Sequence, residues 1–189
     1  MHILLHICCG PCATFPVESL REAGHQVTGF FYNPNIQPYT EFQRRLEAVK
    51  SYAEQAPLKM IYHHEYDLRG FLREILFRED KRCRFCYHMR LLRTAAVAKK
   101  GSFDAFTSTL FVSPHQDHEL IKSVADQVAK EVGVPLHYED FREGYRRCYE
   151  LSKKHDLYRQ SYCGCVFSEY ERYGSKKAAA RGPSNKSPE

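Results

Sequence analysis

The chain has 189 residues, 43% of them hydrophobic and 13% aromatic, with a formal net charge of +5. That composition supports one folded domain with a real core and excludes wholesale disorder. Mean hydropathy is −0.56, and no apolar run approaches the roughly 20 residues that a membrane-spanning helix needs. The opening residues, Met1 to Cys8, lack a basic stretch and a small-residue cleavage site. They read as a first buried strand and not as an export signal, so the expected localisation is cytoplasmic.

The elements alternate. His2 to Cys8 reads as a strand, Thr14 or Phe15 to Ala23 as a helix stopped by Gly24, and Gln26 to Tyr32 as a second strand ended by the turn Asn33-Pro34-Asn35. Tyr39 to Gln55 carries Phe42, Leu46, Val49, Tyr52 and Ala53 on one helical face. Leu58 to Tyr62 is a third strand. Asp67 to Glu79 and Arg84 to Lys100 are helices, and Phe103 to Leu110 is a fourth strand. Pro114 to Val132 is a helix stopped by Gly133, Val134 to Tyr138 a fifth strand, and Tyr145 to Lys154 and Val166 to Tyr173 are helices. Such alternation predicts an α/β fold, a parallel sheet with helices on both faces, whose reactive loops lie at the carboxyl ends of the strands. Residues 1–173 are read as one domain, its helical C-terminal part beginning at about residue 144, and residues 174–189 as a disordered basic tail.

Eight cysteines and no tryptophan set this chain apart. Without an export signal the cysteines are not expected to be disulfide staples. Seven fall in three clusters: Cys8, Cys9 and Cys12; Cys83 and Cys86; Cys163 and Cys165. Clustered thiols of this kind point to metal or redox chemistry. Cys9-Gly10-Pro11-Cys12 lies between a strand and a helix, where the helix N-terminus favours thiolate; it also has the form of a thioredoxin-type dithiol. Cys83-Arg84-Phe85-Cys86 puts two sulfurs on one helical face, a spacing shared with zinc sites. Cys163-Gly164-Cys165 brings two thiols together on a turn. Cys148 stands alone and reads as a buried core residue. Asp117 and His118 follow the fourth strand, near the same edge, and either could add a ligand.

Charge is uneven. Residues 69–100 hold ten Lys or Arg against three acids, and residues from Arg142 onward hold eleven against six. Late in the chain, tyrosines are interleaved with Arg146, Arg147, Arg159 and Arg172. Cations beside stacking rings suit a polyanion with unpaired bases, or an amphipathic helix packing its tyrosines. No phosphate-binding loop of the ATP or NAD type is present.

Five stretches in order, His6-Ile7-Cys8-Cys9-Gly10-Pro11-Cys12, Phe31-Tyr32-Asn33-Pro34-Asn35-Ile36, Arg82-Cys83-Arg84-Phe85-Cys86, Ser113-Pro114-His115-Gln116-Asp117 and Tyr158 to Cys165, together resemble the cobalamin-independent epoxyqueuosine reductases, QueH. The resemblance implies an adenine-nucleotide hydrolase-like (HUP or PP-loop-like) fold variant with C-terminal helices and without ATP chemistry. It implies reduction of epoxyqueuosine to queuosine at the tRNA wobble position. Implied cofactors are a [4Fe–4S] cluster, expected on Cys9, Cys12, Cys83 and Cys86, and an adjacent mononuclear iron or zinc. Cys8, Cys163, Cys165 and Asp117 form the expected ligand pool for that second metal. Asp117 and His118 are the candidate proton donors. Arg82, Arg84, Arg90, Arg146, Arg147 and Arg159 are expected to hold the anticodon stem–loop, and a ferredoxin- or flavodoxin-like protein to supply electrons. No membrane partner is expected. The rival readings are a thiol–disulfide oxidoreductase and a zinc-containing RNA-binding module.

Overall fold

Continuous apolar strands dictate the centre of the molecule. β1 (His2–His6) and β2 (Gln26–Phe31) are buried along nearly their whole length, as parallel strands covered on both faces must be. The computed structural model describes residues 1–180, with side chains through Gly174. β1 and β2 pair in parallel with β3 (Lys59–Tyr62) and β4 (Ala105–Ser108) in the order β3-β2-β1-β4. The register runs Leu4↔Thr28, Leu4↔Phe106 and Phe30↔Ile61. The expected α/β class is observed.

Two helical layers cover the sheet. α1 (Gly10–Glu22), α2 (Tyr39–Gln55) and α6 (Tyr145–Lys154) pack together on one side. α3 (Leu68–Ile75), α4 (Arg82–Lys100) and α5 (His118–Val132) pack on the other. α7 (Val166–Ala180) closes the described chain. It runs past the predicted end at Tyr173; the rest of the expected basic tail, residues 181–189, lies outside the described residues. Among the described residues, no helix is long and apolar enough to cross a membrane.

Several boundaries differ from the sequence expectation, each for a local reason. The expected fifth strand collapses to one bridge, Phe106↔Leu136. Pro135 offers its carbonyl to Phe106 N at 3.0 Å but has no N–H for a ladder. β4 stops at Ser108, whose hydroxyl accepts from Leu110 N at 3.1 Å and turns the chain into a 3₁₀ segment, Thr109–Val112. α5 starts at His118 and not at Pro114, because the Asp117 carboxylate accepts from Leu120 N at 3.0 Å and caps it. α3 ends at Ile75 and the chain tightens again only at Glu79–Lys81.

α1 begins earlier than expected, directly after Cys9, with Gly10-Pro11 in its first turn. Proline is preorganised there and lacks only an N–H that a first turn leaves unpaired. Gly10 has a packing duty: a Cβ would meet the Ala48 carbonyl oxygen at 2.6 Å. Only glycine lets α1 approach α2 this closely while presenting Cys9 and Cys12. Gly10→Ala is therefore expected to destabilise the fold by on the order of 2 kcal/mol, as overpacking against backbone does. Thermal unfolding checks this, and an unchanged midpoint would mean that the helix pair yields freely.

Candidate metal centre

The chemistry-bearing side chains lie where strands end and helices begin. Cys8 follows β1, Cys9 caps α1 and Cys12 lies in its first turn. Their sulfurs all lie within 4.8 Å of one another, with Cys8 and Cys9 at 3.7 Å. Cys83 and Cys86 occupy the first turns of α4, and Cys163 and Cys165 the loop before α7. Cys86 and Cys165 pack in one small apolar cluster with Phe71 and Ile75. Cys163 and Cys165 both act electrostatically on Cys86 or its neighbours. All eight cysteines are free thiols. The structure thus keeps Cys8, Cys9 and Cys12 together as one group of thiols, as their spacing in the sequence suggests.

A buried cation ties the two groups together. Arg90, on α4, is 2% exposed. Its guanidinium donates to Asn33 Oδ1 at 3.0 Å, to His6 Nε2 at 3.4 Å and to Cys86 Sγ at 3.8 Å. None of these is a carboxylate. Burial works against the charge, but Cys86, Cys8 and Cys163 raise the Arg90 pKa above its ordinary value. His6 completes the network: Ser108 Oγ lies 2.9 Å from Nδ1, and burial, then the Arg90 charge, lower its pKa to about 3, so the ring stays neutral.

The thiols themselves divide by environment. Hydrogen bonds from Cys12 and Cys9, with help from Arg90 and the Thr109 hydroxyl, hold Cys8 well below the ordinary thiol range. Thr109 Oγ1 lies 3.3 Å from that sulfur. Burial pushes Cys9 up, raises Cys86 to about 11 and raises Cys163 to about 12. Two glutamine amides aim at sulfur. Gln160 Nε2 donates to Cys9 Sγ at 2.9 Å and Gln116 Nε2 to Cys163 Sγ at 3.6 Å. The carbonyl oxygen of each amide is buried without a partner. N–H···S donors and cations around soft ligands are what an anionic metal–thiolate centre requires. The donor set fits such a centre.

Comparison with known proteins identifies the family. The family model "Epoxyqueuosine reductase QueH" matches residues 3–171. The chain belongs to the QueH family. An "Epoxyqueuosine reductase QueH" from Dehalococcoides mccartyi is 40% identical over 94% of this chain and 98% of its own. One from Thermotoga maritima is 35% identical over 90% and 91%. A solved structure titled as a predicted subunit of tRNA methyltransferase from Methanocaldococcus jannaschii covers 100% of this chain and 93% of its own at 13% identity, with a TM-score of 0.57. That likeness shows the shared fold alone.

Within this QueH chain the remaining sequence expectations divide. Asp117 stands at the start of α5 and acts electrostatically on Cys83. His118 turns elsewhere. Its Nε2 lies 3.0 Å from Tyr138 Oη and 3.9 Å from Asp140 Oδ2, and its ring packs on Phe111. Arg90 is internal and cannot contact RNA, which corrects its assignment. Arg82 is partly buried, paired with Glu171 and stacked over Phe167. Arg84 and Arg146 are exposed. Arg147 reaches Glu18, and Arg159 lies 4.9 Å from the Tyr149 ring centroid. Cys148 is buried in the main core, as expected.

Sequence reasoning missed Arg45. It is 1% exposed, pairs with Glu41 at 2.7 Å, and donates to the carbonyls of Tyr162 and Cys163, each at 2.9 Å. The signal was there: Glu41 and Arg45 are an i,i+4 pair on the face of α2 that carries Phe42 and Val49. Removing one partner strands the other charge in the interior. Arg45→Ala is expected to cost on the order of 3 kcal/mol and to loosen the Cys163 loop. Pairing it with Glu41→Gln should recover part of that loss. Anaerobic urea unfolding of both variants measures it; equal midpoints for wild type and Arg45→Ala would remove the ion pair as the anchor.

Proposed function

We propose that the protein reduces epoxyqueuosine to queuosine in tRNA, a two-electron, two-proton step that releases the epoxide oxygen as water. One observation supports the reading: in a QueH chain, Cys8, Cys86 and Cys163, from three separate stretches of sequence, act on one buried guanidinium, Arg90, and Cys8 lies with Cys9 and Cys12 in one group of thiols. Cys8, Cys9, Cys12, Cys83, Cys86, Cys163 and Cys165, with Asp117, are the residues that would hold a [4Fe–4S] cluster and an adjacent iron or zinc. Such a centre, when bound, supplies electrons singly and a Lewis acid to polarise the epoxide.

The chain's own residues perform the remaining tasks. Arg90 and Arg45 offset the negative charge of the thiolates, so the site does not repel further electrons. Gln160, Gln116 and Thr109 donate to sulfur and fix where it points. Asp117 uses Oδ1 to cap α5, and its second oxygen serves as proton donor or ligand. Exposed Arg84, Arg146, Arg147 and Arg159 contact RNA phosphates, which makes binding strongly salt dependent. An unpaired wobble base has to leave the loop stack to reach a recessed centre. A ferredoxin- or flavodoxin-like protein is the electron source.

Anaerobic purification tests the reading. The protein should be brown, carry iron and sulfide, and convert epoxyqueuosine-containing tRNA when given a low-potential reductant. Cys86→Ala should lose most of the iron and the activity, whereas Cys148→Ala should keep both. A colourless protein whose turnover survives chelation would instead support a dithiol enzyme.

A further inference from the structure

Beyond Ile75 the chain makes a turn that the core does not explain. Phe77 is 96% exposed, the highest value for a large apolar side chain among the described residues, and Leu76 beside it is 46% exposed. Phe77 also has a φ of 62°. The left-handed region is unfavourable for a bulky residue, and glycine would satisfy that backbone without strain. Strain of this kind with no packing in return marks a functional position.

The turn is well held. Phe77 N donates to Glu79 Oε1 at 3.0 Å, Arg78 N to Ile75 O at 3.0 Å and Lys81 N to Arg78 O at 2.8 Å. The Arg78 guanidinium lies over the Phe85 ring at 5.0 Å. Exposed Arg69, Arg73, Arg78, Lys81 and Arg84 come from α3, the turn and the start of α4. Ile75, two positions before Phe77, packs with Cys86 and Cys165. A presented aromatic ring therefore stands among cations beside the metal centre. A flat π-face next to phosphate-attracting charge is the chemistry that receives an unpaired base. We propose that Phe77 is a stacking platform for an unpaired nucleotide of the substrate RNA, positioned by the basic turn next to the thiol site. This rests on the RNA-directed reading above.

The test uses full-length holoenzyme and a synthetic anticodon stem–loop RNA, titrated by fluorescence anisotropy across a salt series. Phe77→Ala should weaken binding on the order of 5- to 100-fold, the loss of one base stack, and Phe77→Tyr should restore it. The dependence of affinity on salt should be unchanged in Phe77→Ala but shallower by about one unit of log–log slope in Arg78→Ala. Phe77→Gly, which relieves the backbone, should weaken binding without lowering the melting temperature. Equal stem–loop affinity for wild type and Phe77→Ala, in an enzyme that binds and reduces the RNA, overturns the platform and leaves the proposed function standing. Equal affinity with turnover slowed only when a protein donor replaces a chemical reductant assigns Phe77 to donor docking, and also overturns it. A wild type that binds no stem–loop overturns the RNA-directed reading itself.

Discussion

A guanidinium buried without a carboxylate is the constraint on which the site depends. Arg90 lies inside the protein with Asn33, His6 and Cys86 as hydrogen-bond partners. A charge cannot be taken from water at that depth unless something nearby carries the opposite sign. Cys8, held well below the ordinary thiol range, carries that sign here, and Cys86 and Cys163, which burial keeps protonated as free thiols, favour the cation when they are thiolates. Arg90 thus links two cysteine clusters far apart in sequence. Neutral His6 and Asn33 hold it from the other side, and Asn33 also donates to the Ile7 carbonyl at 2.9 Å, next to Cys8. The cation and the sulfurs explain each other's presence.

The fold delivers the sulfurs with little machinery. β1 ends at His6, two residues before the Cys8-Cys9 pair, and β4 ends at Ser108, just before Thr109, which meets Cys8. α1, α4, α5 and α7 start at or beside Cys9, Cys83, Asp117 and Cys165. Helix N-termini carry unpaired N–H groups and partial positive charge, which favours anionic ligands at the residues that begin them. Arg45 adds the last piece by gripping the Tyr162 and Cys163 carbonyls from α2. The Cys163 loop, with no regular structure of its own, is thereby fixed to α2.

The alternating apolar runs made the parallel sheet and most helices readable, because burial on both faces leaves a continuous hydrophobic signature. Boundaries were less readable where a side chain decided them: the Asp117 cap and the Ser108 hydroxyl act through single hydrogen bonds that periodicity does not register. The fifth strand failed on Pro135, one missing donor in an otherwise β-like segment. The cysteine clusters were legible as a metal or redox site from spacing alone. The direction each sulfur takes was not, since adjacent residues in an irregular turn carry no such information. Gln160 and Gln116 were hidden for the same reason: an amide aimed at sulfur looks, in sequence, like any surface glutamine.

Arginine shows most plainly why composition and site must be argued separately. The run from Arg69 to Lys100 reads as one basic stripe, yet it contains two physically different populations. Arg90 sits on the buried face of α4 with Leu91 and Thr94, where hydration is lost and Asn33, His6 and the thiols are its partners. Arg69, Arg73, Arg78 and Arg84 stay in water, where they are free to exchange solvent ions for phosphate. A count of charges sums the two groups, although one organises electrons inside the protein and the other attracts polyanions outside it. Helical phase separates them, because Arg90 falls in step with Cys86 and Thr94 while Arg84 falls with exposed positions. The same four-residue step that places Cys86 at the thiol site places its counter-charge one turn further along the same helix. Ligand and counter-ion are therefore a single local feature of α4, and the rest of the fold need only bring the remaining sulfurs to it.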